Sequence, residues 1–139
     1  MEKGVTKEAS FLFTIIASAI IVGVVTAHAL DLKRDYNVRD PTFQEALQFI
    51  CSDQIDENQY NQSYTCFNFA NDFRNNALNE GYRCGYVIIR FPEASHVIVC
   101  FNTSDNGLIF IEPQNDEIVT LRIEQSYLGR KILWFSITW

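Results

Sequence analysis

Hydrophobic residues follow three different patterns along this 139-residue chain. Residues 11–30, FLFTIIASAIIVGVVTAHAL, are apolar throughout and contain no acid and no lysine, and a bilayer-spanning helix needs about 20 such residues. Two later segments repeat apolar residues with helical spacing, and beyond Gly81 the chain is rich in strand-forming residues. We therefore predict a transmembrane anchor or signal segment at residues 1–30, a linker at 31–40 and one domain at 41–139.

Two helices are predicted in the first half of that domain. The first begins at Asp40-Pro41, because Asp is a favoured N-cap and Pro suits the first helical position. The second begins at Cys66, with Thr65 as its N-cap and Gly81 as its stop. Their apolar stripes are Phe43, Ala46, Leu47, Ile50 and Cys51 in the first helix, and Phe69, Ala70, Phe73 and Ala77 in the second. The polar residues 52–64 between them predict a loop.

The second half predicts strands at residues 82–91, 95–101 and 108–112, with a turn at 102–107. The nearly apolar residues 131–139 predict a buried strand. The expected fold class is α+β: an N-terminal transmembrane or signal helix is followed along the chain by two helices packed on an antiparallel sheet.

The N-terminal segment supports two interpretations. Lys3 and Lys7 form a weakly basic start, and Ala27-His28-Ala29 has the small-x-small form of a signal-peptidase site, which allows cleavage after Ala29. A retained anchor fits the same residues, and basic residues flank the segment on both sides. The domain is expected outside the cytoplasm, either membrane-anchored or secreted. The sequons at Asn61 and Asn102 agree with export but add little.

Charge and cysteine content narrow the function classes. A net charge of −6 and a pI near 4.8 argue against nucleic-acid binding. The four cysteines are an even number in a chain with an export signal, which favours two disulfides in one of three pairings. The histidines are His28 and His96, and no Cys-x-x-Cys or paired-His spacing occurs. No metal site and no cofactor are predicted.

Cys66 is a candidate nucleophile because the positive end of a helix stabilises a thiolate. His96, the histidine of the predicted domain, is a candidate base on a strand. If Phe101 pairs with Leu108 across the turn, His96 lies opposite Pro113, and a shift of one residue sets it opposite Glu112. A carboxylate there would accept the Nδ1 hydrogen and leave Nε2 facing the thiol. The plainer interpretations are a buried cysteine, a packed strand histidine and a solvent-facing glutamate.

A helix-start Cys, a strand His and a strand ending in acid-Pro, in that order, resemble a known family. The segments YTCFNFANDFRNNALNEGYRCGYVIIRF, SHVIVCF and LIFIEPQND are similar to the transglutaminase-like branch of the papain-like cysteine peptidase superfamily, especially its small prokaryotic and archaeal members. The resemblance covers residues 64–116. It implies that Cys66 is the nucleophile, His96 the general base and Glu112 the orienting acid.

The chain departs from the family pattern in three respects. The family acid is most often Asp, so Asp105 and Asp116 stand as substitutes for Glu112. Val97 and Ile98 follow the histidine, where the family often has an aromatic residue. No motif marks the oxyanion-hole donor, for which the backbone N–H of Cys66 is the first candidate. The other candidates are Gln59, Gln62 and Tyr64.

These residues predict a thiol-dependent amide-bond hydrolase or acyltransferase that acts on a peptide, protein or surface-polymer amide. A disulfide between Cys51 and Cys84 would leave Cys66 and Cys100 as thiols. The alternative is a non-catalytic, exported and membrane-anchored binding or structural domain on the same fold. In that alternative Cys66 is disulfide-bonded or simply buried.

Overall fold

The computed structural model of the protein describes residues 38–139. Two α-helices come first, α1 (Phe43–Ser52) and α2 (Cys66–Asn79), with a 3₁₀ turn at Ile55–Glu57 between them. The strands that follow are β1 (Gly85–Arg90), β2 (Ser95–Thr103), β3 (Gly107–Glu112), β4 (Glu117–Val119), β5 (Ser126–Tyr127), β6 (Arg130–Lys131) and β7 (Trp134–Thr138).

Helix α1 begins two residues later than predicted. Its N-cap is Thr42, whose hydroxyl accepts the Glu45 N–H at 3.2 Å, while the Glu45 carboxylate accepts the Thr42 N–H at 2.8 Å. This reciprocal pair satisfies two helix-end donors and defines the start. Asp40 is instead paired with Arg83 at 2.7 Å, so the predicted Asp40 cap is wrong.

Helix α2 begins at Cys66, as predicted. Thr65 is its N-cap, and the Asn68 side chain accepts the Thr65 N–H at 2.9 Å. Gly81 ends the helix with φ +81°, the left-handed conformation that glycine adopts without penalty. The buried stripe of Phe69, Ala70, Phe73 and Ala77 is also as predicted. These features set Cys66 in the first turn of the helix.

The sheet has five antiparallel strands in the order β4-β3-β2-β1-β7, and β5 and β6 form a separate hairpin. In the β2–β3 ladder Leu108 pairs with Asn102, so the predicted pairing with Phe101 is wrong by one residue. The reason lies in the turn, where the Thr103 hydroxyl donates to the Gly107 carbonyl at 2.7 Å and extends the pairing to Thr103–Gly107.

The core lies on both faces of this sheet. On one face, α1 and α2 pack Phe49 and Phe73 against Phe101, with ring centroids 5.1 to 6.1 Å apart. On the other face, Leu121 and Ile132 cover a second cluster that is centred on β1 and β2. The C-terminal strand β7 is an edge strand with Trp134 48% exposed. The predicted strand is present, but its burial is wrong, because β7 has a neighbour on one side only; Ile132, which precedes it, is buried.

The predicted N-terminal helix lies outside the described residues, and the predicted disulfides need correction. Residues 11–30 fall outside the described part, and within residues 38–139 no helix has the length and apolar character to cross a membrane. Disulfides were expected, but all four cysteines are free thiols. Cys51 is exposed on α1, whereas Cys84 is buried in the core beneath the helices, so the two are not paired.

Candidate functional site

The predicted catalytic residues meet at one end of β2. Strand β3 pairs with β2 from Val99 to Thr103, so the first residues of β2 extend beyond this ladder. The N-terminus of α2 approaches there and brings Cys66 close enough to His96 for the imidazole to lower the pKa of the thiol. The backbone N–H groups of Val97 and Phe67 lower this pKa further. Cys66 is partly exposed, as a nucleophile needs to be.

His96 and Glu112 form a short buried contact. The His96 Nε2 atom lies 2.6 Å from Glu112 Oε2, and the two residues are 9% and 4% exposed. If the β2–β3 register is continued by one residue, Glu112 lies opposite Ile98. Ile98 is two residues after His96 on β2, so Glu112 and His96 are on the same face of the sheet and are diagonal neighbours. The structure thus brings together all three predicted residues, which are 46 positions apart in the sequence at their extremes.

The predicted role of Nδ1 towards the carboxylate is wrong. We expected Nδ1 to face the carboxylate, whereas Nε2 does so. Nε2 is the ring nitrogen farther from the backbone, which suits a partner that lies diagonally on the next strand. Nδ1 is the ring nitrogen that this contact leaves available to the thiol.

Two further residues hold the carboxylate, and sequence reasoning missed both. The Tyr127 hydroxyl donates to Glu112 Oε2 at 2.7 Å. The Gln114 side chain donates to Glu112 Oε1 at 3.2 Å. Gln114 was visible beside the acid in EPQND, but Tyr127 lies on the β5–β6 hairpin, whose two-residue strands carry no periodic signal.

The electrostatics of the three residues favour an ion pair. The hydrogen bond from His96 lowers the pKa of the Cys66 thiol despite the opposing effect of burial. Burial lowers the pKa of His96, but hydrogen bonds with Cys66 and Glu112 outweigh it and raise the pKa to about 9. Burial raises the pKa of Glu112, yet the hydrogen bonds from His96 and Tyr127 bring it below its usual value. Each shift stabilises the charged form of its group, namely the thiolate, the imidazolium and the carboxylate.

The start of α2 adds to the stabilisation of the thiolate. The helix is 14 residues long, and the first N–H groups of a helix lack helical carbonyl partners and carry partial positive charge. The N–H of Cys66 is one of these groups, which keeps it a candidate oxyanion donor. Tyr64 is engaged elsewhere, since its hydroxyl donates to Asp72 Oδ2 at 2.7 Å.

The substitute acids lie away from His96. Asp105 accepts the Phe43 N–H at 2.7 Å at the start of α1. Asp116 interacts with the charges of Asp53 and Asp56. Glu112 is therefore the acid in contact with the imidazole. Within residues 38–139, no group of three or more His, Cys, Asp or Glu side chains is arranged to hold a metal ion.

No family model and no curated protein matches the sequence. Similar solved structures include the Polyporus squamosus lectin bound to the human-type influenza-binding epitope Neu5Acα2-6Galβ1-4GlcNAc. The identity is 18% and the TM-score 0.50, over 70% of this chain and 38% of the lectin chain. Another is a complex of PSL1a with E64, at 17% identity and a TM-score of 0.49, over 68% of this chain and 39% of that chain. The chain thus spans less than half the length of either.

These comparisons correct the predicted family and fold class. A solved structure with a similar fold is that of a lectin, so the assignment to a transglutaminase-like or papain-like peptidase core is wrong. The transmembrane helix predicted before this core lies outside the described residues. The assignment rested on the order of a helix Cys, a strand His and a strand Glu, and such catalytic groupings recur on unrelated folds. At 18% identity, the likeness to the lectin concerns the fold alone.

Proposed function

We propose that the domain is a thiol-dependent amide-bond hydrolase or acyltransferase, in which Cys66 is the nucleophile, His96 the general base and Glu112 the orienting acid. One observation carries the proposal: the buried His96 ring lies 2.6 Å from the Glu112 carboxylate and close enough to the Cys66 thiol to lower its pKa. The proposal rests on this geometry and is independent of family membership.

The chemistry follows from the positions of the three groups. The Cys66 thiolate attacks the carbonyl carbon, and a C–S bond forms as the oxygen gains negative charge near the Cys66 N–H. The His96 imidazolium then gives its proton to the leaving nitrogen while the C–N bond breaks. A thioester remains. Water or an amine attacks it, His96 takes the proton of the attacking group, and the Cys66 thiolate is regenerated beside the imidazolium as the C–S bond breaks.

The proposed acyl donor is an amide in a peptide, a protein or a surface polymer. Water is the default acceptor because an amine competes with it only when a dedicated binding site holds the amine. An extracytoplasmic location, anchored or secreted, is proposed from the sequence of residues 1–30 alone.

The non-catalytic alternative makes a different demand on Cys66. It requires a thiol that is blocked or inert, whereas Cys66 is free and partly exposed, and His96 lowers its pKa. Carbohydrate is a suitable ligand class for testing this alternative, because the similar lectin chain was crystallised with an oligosaccharide epitope. Saturable binding of N-acetylated oligosaccharides by a protein with an unreactive Cys66 would favour it.

The decisive experiment measures the rate of iodoacetamide labelling at Cys66 between pH 4 and 10 in the full-length protein, with peptide mapping by mass spectrometry. Exposed Cys51 is an internal reference in the same sample. We expect Cys66 to label rapidly below pH 7 and His96→Ala to abolish this low-pH reactivity. A Cys66 profile that follows Cys51 would overturn the proposal.

A positive result justifies a search for substrates. A library of fluorogenic amides is tested with the wild-type protein and with Cys66→Ala as the matched control. Turnover by the wild type that is absent from Cys66→Ala identifies the acyl group, and addition of primary amines then separates hydrolysis from acyl transfer.

A further inference from the structure

Tyr127 reaches the catalytic acid from outside the main sheet. It lies on β5 in the β5–β6 hairpin, where Ser126 pairs with Lys131 and Tyr127 with Arg130. The two turn residues, Leu128 and Gly129, have φ values of 51° and 72°, as a tight two-residue hairpin turn requires. This small unit presents one aromatic side chain to Glu112.

The hairpin is fixed to the body of the domain beside the site. Ile132, which directly follows β6, is 1% exposed in the cluster on the His96 side of the sheet. Its N–H donates to the Gln125 carbonyl at 2.9 Å, and its carbonyl accepts the Glu124 N–H at 2.8 Å. These bonds hold the base of the hairpin closed, so the position of Tyr127 is determined by a buried anchor.

Tyr127 and His96 share one carboxylate oxygen. Glu112 Oε2 receives the Tyr127 hydroxyl at 2.7 Å and lies 2.6 Å from His96 Nε2. A carboxylate oxygen has two lone-pair directions, and these two donors occupy both. With Gln114 on the other oxygen, rotation of the carboxylate would break at least one hydrogen bond in a site where Glu112 is 4% exposed.

The hydroxyl also affects the charge of the acid. A hydrogen bond to a carboxylate favours its ionised form, and burial favours the neutral form. Without the Tyr127 donor, fewer hydrogen bonds would stabilise the carboxylate against the effect of burial, so Glu112 would take up a proton at a higher pH. A protonated Glu112 no longer stabilises the imidazolium, and the thiolate then loses its counter-ion.

We propose that Tyr127 is a positioning residue that keeps Glu112 ionised and aimed at His96 Nε2, so that the Cys66–His96 ion pair persists to lower pH. The inference rests on the proposed function and adds a fourth residue to its machinery, one that acts through Glu112 and touches no reacting atom.

The test is the pH profile of Cys66 alkylation in full-length Tyr127→Phe. This variant removes the hydroxyl and keeps the packed ring. We expect the acidic half-point of the profile to rise by about one pH unit, the size expected for the loss of one hydrogen bond to a charged group. On the acidic limb, the reaction of Cys66 should then be about ten-fold slower. Tyr86→Phe is the matched control, because it removes a half-buried hydroxyl bond to Asn71 Oδ1 of 3.0 Å. It should leave the half-point unchanged.

A double-mutant cycle separates positioning from a general effect on the fold. In the Glu112→Gln background, Tyr127→Phe should cause no further shift, since the charge that it stabilises is gone. Fluorotyrosine at position 127, a stronger donor of the same shape, should move the acidic half-point below that of the wild type. An unchanged half-point in Tyr127→Phe, or an equal shift in the Glu112→Gln background, would overturn the inference while leaving the proposed function intact. A wild-type protein without low-pH reactivity would overturn both.

Discussion

Glu112 Oε2 lies 2.6 Å from His96 Nε2, although the two residues are diagonal neighbours on adjacent strands rather than a directly opposed pair. Diagonal neighbours in a ladder are about 7–8 Å apart at Cα, a gap that a long side chain closes more readily than a short one. The length of the glutamate is therefore part of the geometry of the site.

Shortening the acid should weaken the site without removing its charge. Glu112→Asp withdraws the carboxylate by about 1.5 Å, one C–C bond, which breaks the hydrogen bond to His96. We expect alkylation of Cys66 at pH 6 to slow by about ten-fold, because a rise of about one unit in the pKa of the thiol lowers the thiolate fraction about ten-fold. Glu93→Asp, on the exposed β1–β2 turn, is the control. An unchanged rate in Glu112→Asp would show that the carboxylate does not need this contact.

The four thiols should react in a fixed order. Cys66 is activated by His96, Cys51 is exposed, and Cys84 and Cys100 are buried. Burial raises the pKa of Cys84 and brings that of Cys100 to about 12, so both should stay unlabelled until the protein unfolds. Thiol counting at pH 6.5 should find Cys66 first and Cys51 later, and all four in denaturant. Early labelling of Cys84 would contradict this packing.

The contribution of His96 to stability should depend on pH. Its folded pKa of about 9 lies above the unfolded value of about 6.5, so the folded state binds the proton more tightly. The stabilisation is fully present below pH 6.5 and is lost as the pH rises through 9. His96→Gln should therefore be most destabilised, relative to the wild type, near pH 6. Urea unfolding at pH 6 and pH 9.5 measures the difference, and a larger loss at the higher pH would contradict the assigned shift.

Replacing Asp116 should stabilise the protein, whereas replacing His96 should destabilise it. Burial and the charges of Asp56 and Asp53 raise its pKa to about 6, so its carboxylate opposes folding above that pH and this effect fades as the pH falls towards 4. Asp116→Asn should stabilise the protein at pH 7.5, and Asn tolerates the φ of 58° at this position. Thermal unfolding at pH 7.5 and pH 4.5 measures the gain. Equal gains at both pH values would show that charge is not the cause.

Core truncation tests the packing beneath the helices. Phe73 is fully buried between Phe49 and Phe101, and we expect Phe73→Ala to cost about 3–5 kcal/mol of unfolding free energy. Phe67→Ala, on the same helix and 56% exposed, should cost less than about 1 kcal/mol. Urea titrations of both variants provide the comparison, and similar losses would contradict the assigned burial.

Local signals in the sequence predicted α2, its start at Cys66 and the strands that carry His96 and Glu112, because capping residues and apolar periodicity act over a few neighbours. They did not predict the register of β2 and β3, since it accompanies side-chain contacts within the turn, such as the two hydrogen bonds of the Thr103 hydroxyl. The contact of Tyr127 with Glu112 was also invisible, because 15 residues separate them in sequence and no repeating pattern links a two-residue strand to its target.

The family assignment failed for a related reason. It used the order of three reactive residues on a helix and two strands, and that order says little about how the remaining strands are arranged. The edge position of β7 and the separate β5–β6 hairpin are set by long-range packing, which the order of Cys66, His96 and Glu112 does not encode.

Cys66 approaches from the side of the sheet that the helices cover, whereas His96 and Glu112 lie on the other side. The thiol therefore meets its base only where the helices are docked on the sheet. If this docking is lost, Cys66 is separated from His96 and has the reactivity of an ordinary cysteine.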